Sequence, residues 1–187
     1  MGMLSLKHSR LAYSADFAVY GGAVALLTGA LIAFIPQSLG LQTAGLTVAG
    51  LFGWTAIEYA LHRFVLHGLQ PFKSWHAEHH TRPTALICSP TLFSAGLIFV
   101  LFFLPALLLV HLRAAAALTL GLLIGYLAYS VIHHATHHWR GKSAWLKRRK
   151  RWHALHHAQA TKPGYYGVTS GFWDSVFSTF AKGKAAL

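Results

Sequence analysis

Ten of the fourteen histidines in this 187-residue chain fall into four short clusters: His62-x4-His67, His76-x2-His79-His80, His133-x3-His137 and His153-x2-His156-His157. Neutral imidazole offers a nitrogen lone pair and is the commonest metal ligand near neutral pH. A structural zinc site closes with four ligands. Ten exceed one metal and suit two, each five-coordinate with a position left open for a reactant. Residues three and four apart share a helix face. His76 therefore converges with His79 and His80, His133 with His137, and His153 with His156 and His157. The five-residue step from His62 to His67 fits such a face poorly. Gly68 follows at once, so the helix is expected to end there, with His67 swinging back from its last turn.

The elements that position these clusters are apolar. The chain is 55% hydrophobic with only four acidic residues, the composition of a membrane protein. Uncharged stretches at about 17–35, 91–110 and 114–132 are long enough to span, and 41–61, richer in Gly and Thr, can just cross. A helix of about 19 residues covers the hydrocarbon thickness of a bilayer. Four crossings put fifteen of the sixteen Lys and Arg on one side, with Arg113 alone on the other. The positive-inside rule makes that side the cytoplasm. The expected fold is therefore an all-α integral membrane protein of one domain, 1–187. Its four transmembrane helices carry a cytosolic helical cap, from 62–90 and 133–187, that holds a histidine-rich dimetal site.

Other features are read within that frame. The apolar run near the N-terminus lacks a small-residue cleavage pattern at Phe34-Ile35-Pro36 and reads as a retained helix. Cys88 excludes an internal disulfide and is expected to pack near the start of the third span. The net charge of +12 flanks the spans, which argues against nucleic acid. The run Lys147-Arg148-Arg149-Lys150-Arg151 reads as a juxtamembrane lipid anchor, with a docking patch for an acidic electron carrier as the sharper alternative. The tryptophans, Trp54, Trp75, Trp139 and Trp152 among them, are expected mostly in an interfacial belt. His8 and His111 lie outside every cluster and receive no role.

Zinc, iron and copper all accept imidazole. Ligands for two metals beside membrane helices, without a carboxylate-rich cluster, suit dioxygen activation on a lipid entering from the bilayer better than a one-metal hydrolase. A metal-bound imidazole usually donates its other N–H to a carboxylate or carbonyl. Glu58, one turn before His62, Glu78 and Asp174 are candidates for that part, and so is His138. The alternatives are a helix-end charge for Glu58 and a cap on a short helix near Ser175 for Asp174.

Five ordered motifs carry a resemblance: Glu58-Tyr-Ala-Leu-His62-Arg-Phe-Val-Leu-His67, Trp75-His76-Ala-Glu-His79-His80, Gly125-Tyr126-Leu-Ala-Tyr129, Trp152-His153-Ala-Leu-His156-His157 and Gly167-Val-Thr-Ser-Gly-Phe-Trp173-Asp174. Together they resemble the fatty acid hydroxylase superfamily, and within it the fatty acid 2-hydroxylases of sphingolipid metabolism. The resemblance implies His62, His67, His76, His79, His80, His133, His137, His153, His156 and His157 as ligands of two metal ions. It implies iron as the metal, with zinc a competitor in purified protein, and dioxygen as co-substrate. No catalytic residue is expected beyond the metal centre. Two departures stand out: Ser130 follows Tyr129 where the 2-hydroxylases carry Asp, and His134 and His138 are additional.

The implied reaction inserts one oxygen beside the carbonyl of a long acyl chain. Dioxygen, two electrons and two protons yield the alcohol and one water. Tyr126, Tyr129, Tyr165 and Tyr166 are candidates for orienting a polar head group, against the simpler reading of interfacial tyrosines. Sixteen residues before the first span are too few for the cytochrome b5 domain fused to many such proteins. A separate cytochrome b5-like or ferredoxin-like donor is therefore expected. The expected location is a bacterial inner membrane, or the endoplasmic reticulum in a eukaryote, with both termini and the metal site cytoplasmic. The alternatives are a sterol or carotenoid hydroxylase or desaturase and, from another class, a metal transporter or storage protein.

Overall fold

The computed structural model describes residues 9–87, 89–158 and 163–180. His8 and Cys88 lie outside them. Among the described residues the chain is helical and forms no extended strand. Its helices are α1 (Arg10–Phe34), α2 (Gly40–Ala60), α3 (Phe72–Thr81), α4 (Thr91–Ile98), α5 (Leu104–Leu109), α6 (Leu112–His138), α7 (Ala144–Ala158) and α8 (Phe172–Val176). A π-helical turn at Leu61–Leu66 continues α2, and another at Phe99–Phe103 joins α4 to α5. The second lies just before Pro105, whose missing N–H forces the helix to re-register.

Four helical segments are long and apolar enough to cross a membrane: Arg10–Phe34, Gln37–Leu66, Thr91–Leu109 and Leu112–His138. They fall where the uncharged stretches of the sequence predict them. The chain forms two compact units, one from 1–54 and 85–128 and the other from 55–84 and 129–187, with α2 and α6 contributing residues to both.

The first unit buries a run of small residues and exposes many large ones. Ala115 and Ala117 of α6 are fully buried, whereas Leu26, Ile32, Phe34, Leu41, Leu108 and Leu109 are exposed. Helices in lipid gain nothing from hiding leucine from leucine-like tails, so they associate where small residues allow close backbone approach. Gly50 and Gly121 are such points. A Cβ on Gly121 would run into the backbone of Thr47, Gly50 and Leu51, and one on Gly50 into the carbonyl of Leu118. A polar ladder also crosses this unit. Thr91 donates to Asp16 at 2.8 Å, and Tyr20 and Ser94 share a 2.7 Å hydrogen bond. His111, expected to have no role, accepts from the Ala114 N–H at 3.2 Å and so caps the start of α6.

The second unit has a polar interior. Glu58, His62, His79, Arg149, His153, His156 and Asp174 are buried there beside Tyr59, Ala135 and Leu146. Two expectations need correction. Trp54, in the first unit, is buried against Tyr126, and Trp152, in the second, packs on Tyr165 and Phe180, so neither belongs to an interfacial belt. The run 147–151, expected to anchor on lipid through five charges, cannot offer all five. Helical spacing leaves Lys147, Arg148 and Arg151 exposed and turns Arg149 inward.

Gly121→Leu should reduce the melting temperature in detergent by several degrees, since overpacking costs about 1–3 kcal/mol. Gly29→Leu, with open space around its Cβ, should leave it unchanged. Light scattering during a thermal ramp distinguishes the two.

Candidate metal centre

The first two histidines meet through the π-helical turn. The His67 N–H donates to the His62 carbonyl at 3.2 Å, an i to i+5 bond. That bond sets residues five apart one above the other, so the two rings lie 5.2 Å apart. The helix ends beside Gly68, as the sequence predicts, with His67 at its C-cap; what brings the ring back is a widening of the last turn by one residue. α3 contributes His76, His79 and His80, α6 contributes His133 and His137, and α7 contributes His153, His156 and His157.

The ring nitrogens gather into two groups. His62, His67, His76, His80 and His156 form one and His79, His133, His137 and His153 the other, and in each the ligand atoms lie within 4.8 Å of one another. His157 sits against the second group, its Nε2 3.0 Å from that of His153, while its ring stacks on His80 at 4.2 Å. The groups adjoin, with the rings of His76 and His79 5.7 Å apart.

Nε2 faces Nε2 throughout. The pairs His62–His76, His76–His80, His67–His156 and His79–His133 are each 3.0 Å apart, and His137–His153 is 2.7 Å. In two of the rings the tautomer follows from chemistry. His62 Nδ1 lies 2.6 Å from the Tyr166 carbonyl oxygen and His156 Nδ1 lies 2.8 Å from that of Gly164. A carbonyl only accepts, so each Nδ1 carries the proton and each Nε2 is a bare lone pair. Lone pairs converging at this spacing fit a cation, because imidazoles about 2.1 Å from one ion at neighbouring coordination positions are about 3 Å apart.

Burial keeps the rings neutral. Desolvation, reinforced by neighbouring imidazoles, lowers His67 and His157 to about 4 and His79 to about 2, and holds His76, His153 and His156 further below their ordinary range. A ring that stays neutral at pH 7 keeps its lone pair for a metal.

The carbonyls that orient His62 and His156 belong to the loop 163–171, which two buried carboxylates hold from behind. Asp174 is fully buried and accepts from the Tyr166 N–H at 2.9 Å, the Gly167 N–H at 2.8 Å and the Thr179 hydroxyl at 2.7 Å. The Gly167 N–H and the Tyr166 C=O are two ends of one peptide plane. Asp174 therefore polarises the group that holds His62. The Gly164 C=O shares its plane with the Tyr165 N–H, which donates to the Thr179 carbonyl at 3.2 Å. Tyr165, at φ 56°, adopts the left-handed region between these two carbonyls. Glu58 accepts from the N–H groups of Val168 at 2.6 Å and Thr169 at 3.0 Å, and from the Thr169 hydroxyl.

Glu58 and Asp174 thus act through the backbone, and Asp174 does not cap a helix near Ser175, since α8 begins at Phe172. Glu78 is not brought to the rings; it pairs with Arg82 at 3.5 Å on the surface. His138 belongs to neither group; it stacks on His134 at 4.5 Å, with its ring 6.4 Å from that of His137. Of the tyrosines, Tyr166 lies beside His62, His67 and His156 at 5.7 Å, and Tyr129 stacks on His133 at the same distance. Tyr126 donates to Ser94 at 3.4 Å in the first unit, and Tyr165 packs on Trp152 and Phe180. Sequence reasoning missed the Gly164 and Tyr166 carbonyls and Thr169. The one signal for them is the motif 167–174, whose Gly167 admits no Cβ beside Ser170.

Glu58→Ala leaves the Val168 and Thr169 N–H groups unpaired and should destabilise the protein by about 2–4 kcal/mol. Glu58→Gln keeps an acceptor oxygen and should recover most of that loss in thermal unfolding. Acid should weaken the metal-free protein in a defined window. Below about 6.5 the unfolded chain takes up protons that His67 and His157 refuse until about 4. Stability is then full above 6.5 and falls as pH drops toward 4, which melting temperatures at pH 7.5 and pH 5 would show.

Comparison with known proteins follows the same lines. A model of the fatty acid hydroxylase family matches residues 47–179. A dihydroceramide fatty acyl 2-hydroxylase of Arabidopsis thaliana is 36% identical over 166 residues, which cover 80% of this chain and 67% of that protein. The ceramide very long chain fatty acid hydroxylase of Schizosaccharomyces pombe is 36% identical over 147 residues, 71% of this chain and 41% of the relative. Human fatty acid 2-hydroxylase is 30% identical over 166 residues, 82% and 43% respectively. The solved hydroxylase domain of full-length scs7p superposes with a TM-score of 0.78 at 28% identity, covering 94% of this chain and 68% of that one. The chain spans about two fifths of the length of the fission yeast and human proteins. With all ten clustered histidines inside the matched segment, the chain belongs to the fatty acid hydroxylase family.

Proposed function

We propose that this chain hydroxylates a lipid acyl chain, at the carbon next to the carbonyl, using dioxygen and electrons from a separate carrier. The observation that carries the reading is the pair of adjoining imidazole groups, each with lone pairs converging within 4.8 Å. The relatives named as 2-hydroxylases of fatty acyl or ceramide substrates support the position of attack. In this reading His62, His67, His76, His80 and His156 hold one metal ion and His79, His133, His137 and His153 the other, with His157 completing the second set. Iron is the metal we assign, because bound iron would supply the activation of dioxygen that a C–H bond requires.

The protein's own residues do the rest. Gly164 and Tyr166 fix two ligand rings through their carbonyls, so Nε2 needs no reorientation when a metal binds. Burial of His62, His79, His153 and His156 keeps bulk solvent from those rings. Tyr166 and Tyr129, whose rings border the imidazoles, are the tyrosines best placed to meet a substrate head group. Membrane helices bring the substrate, and the basic residues on the histidine side assign that side and both termini to the cytoplasm. A cytochrome b5-like or ferredoxin-like protein would deliver the electrons.

Expression in cells that lack 2-hydroxylated acyl chains, followed by mass spectrometry of released fatty acids, tests the reaction. One added oxygen on carbon 2 is the expected product; loss of two hydrogens would instead mark a desaturase. His156→Ala should lower metal content from two ions per chain and abolish turnover. His134→Ala should preserve both. Elemental analysis on the preparation used for the assay reads the two together.

A further inference from the structure

Arg149 sits in the middle of the basic run 147–151, yet only 8% of its surface is exposed. Its guanidinium lies 4.8 Å from the Trp152 ring and 6.0 Å from the Trp145 ring. Aromatic faces stabilise the charge but accept little in the guanidinium plane. Two of its nitrogens, Nε and Nη1, are buried without a hydrogen-bond partner. No carboxylate pairs with it among the described residues, although Glu58 and Asp174 are near enough for their charge to act on it. A buried cation with idle donors is costly unless something accepts from it.

Arg149 also borders a cavity of about 10 Å³, together with Thr136, His153, Gly167 and Val168 among others. That is about the room one water molecule requires. His153 turns its Nε2 to His137 and His157, and no carbonyl of the described residues accepts from its other nitrogen, as Gly164 does for His156. The Thr136 hydroxyl gives its proton to the His133 carbonyl at 2.7 Å and keeps lone pairs free to accept. An anion would face the fields of Glu58 and Asp174; a neutral water would not.

We propose that one ordered water fills this cavity, accepts from Arg149 and from Nδ1 of His153, and donates to Thr136. Arg149 is then a positioning residue for the second imidazole group. It does for His153, through water, what the Gly164 carbonyl does for His156. The water stands on geometry alone; the effect on a metal rests on the two-ion reading.

A map of the unaltered protein at about 2 Å should show a water within hydrogen-bond distance of the Arg149 guanidinium. An empty cavity, or a chloride there, overturns the proposal. With the protein loaded with cobalt(II), Arg149→Met should weaken one of the two ions by about 10–100-fold in competition with a chelator and shift its ligand-field bands. Arg149→Lys should restore both in part, and Lys147→Met should change neither. Arg149→Met with unaltered affinity and bands also overturns it. If the unaltered chain binds fewer than two ions, the two-ion reading fails by itself, and the map still decides the water.

Discussion

Nine imidazole nitrogens in two adjoining groups, several within 3.0 Å of one another, form an arrangement that a bound cation would make favourable. Lone pairs aimed at one point repel, and desolvation denies the rings the protons that would relieve the repulsion. The rest of the second unit follows from this constraint. Its interior holds buried histidines, an arginine and two carboxylates where a soluble domain of this size would place aliphatic side chains. Such an interior is stable only if each polar group finds a partner.

The loop 163–171 supplies many of those partners. Carboxylates do not grip the imidazoles directly. Here they grip backbone N–H groups, and the carbonyls of that backbone grip the imidazoles. The Asp174–Gly167–Tyr166–His62 connection crosses a single peptide plane. A carbonyl is a weaker acceptor than a carboxylate, so it fixes the tautomer while drawing the proton less strongly. The rings remain neutral, Asp174 stays one peptide removed from His62, and Glu58 holds the next stretch of the loop at Val168 and Thr169.

Helical spacing made most of the candidate site legible. Steps of three and four residues place rings on one face whatever the helix packs against, and α3, α6 and α7 obey that rule. The His62–His67 step breaks it, because a π-helical turn depends on hydrogen-bond registration that residue types do not encode. The four apolar helices were legible because hydrocarbon thickness sets their length. Arg149 was not: in a run of five cations the sequence cannot say which one a helix turns inward. Trp54 was hidden likewise, since a tryptophan opposite Gly125 packs where one opposite lipid would anchor. Glu58 and Asp174 were visible as rare acids near the histidines, but their partners are backbone atoms with no sequence signature.

The two units also differ in what holds them. The first relies on close backbone contact at Gly50 and Gly121 and on lipid outside, neither of which needs a ligand. The second draws its imidazoles from positions as far apart as 62 and 156. An ion bridging them closes long loops that would otherwise cost conformational entropy. Binding free energy at such a centre is also folding free energy, because the unfolded chain presents no preformed site. In that reading the histidines would serve twice, as ligands that carry the chemistry and as cross-links of a unit with few buried aliphatic residues.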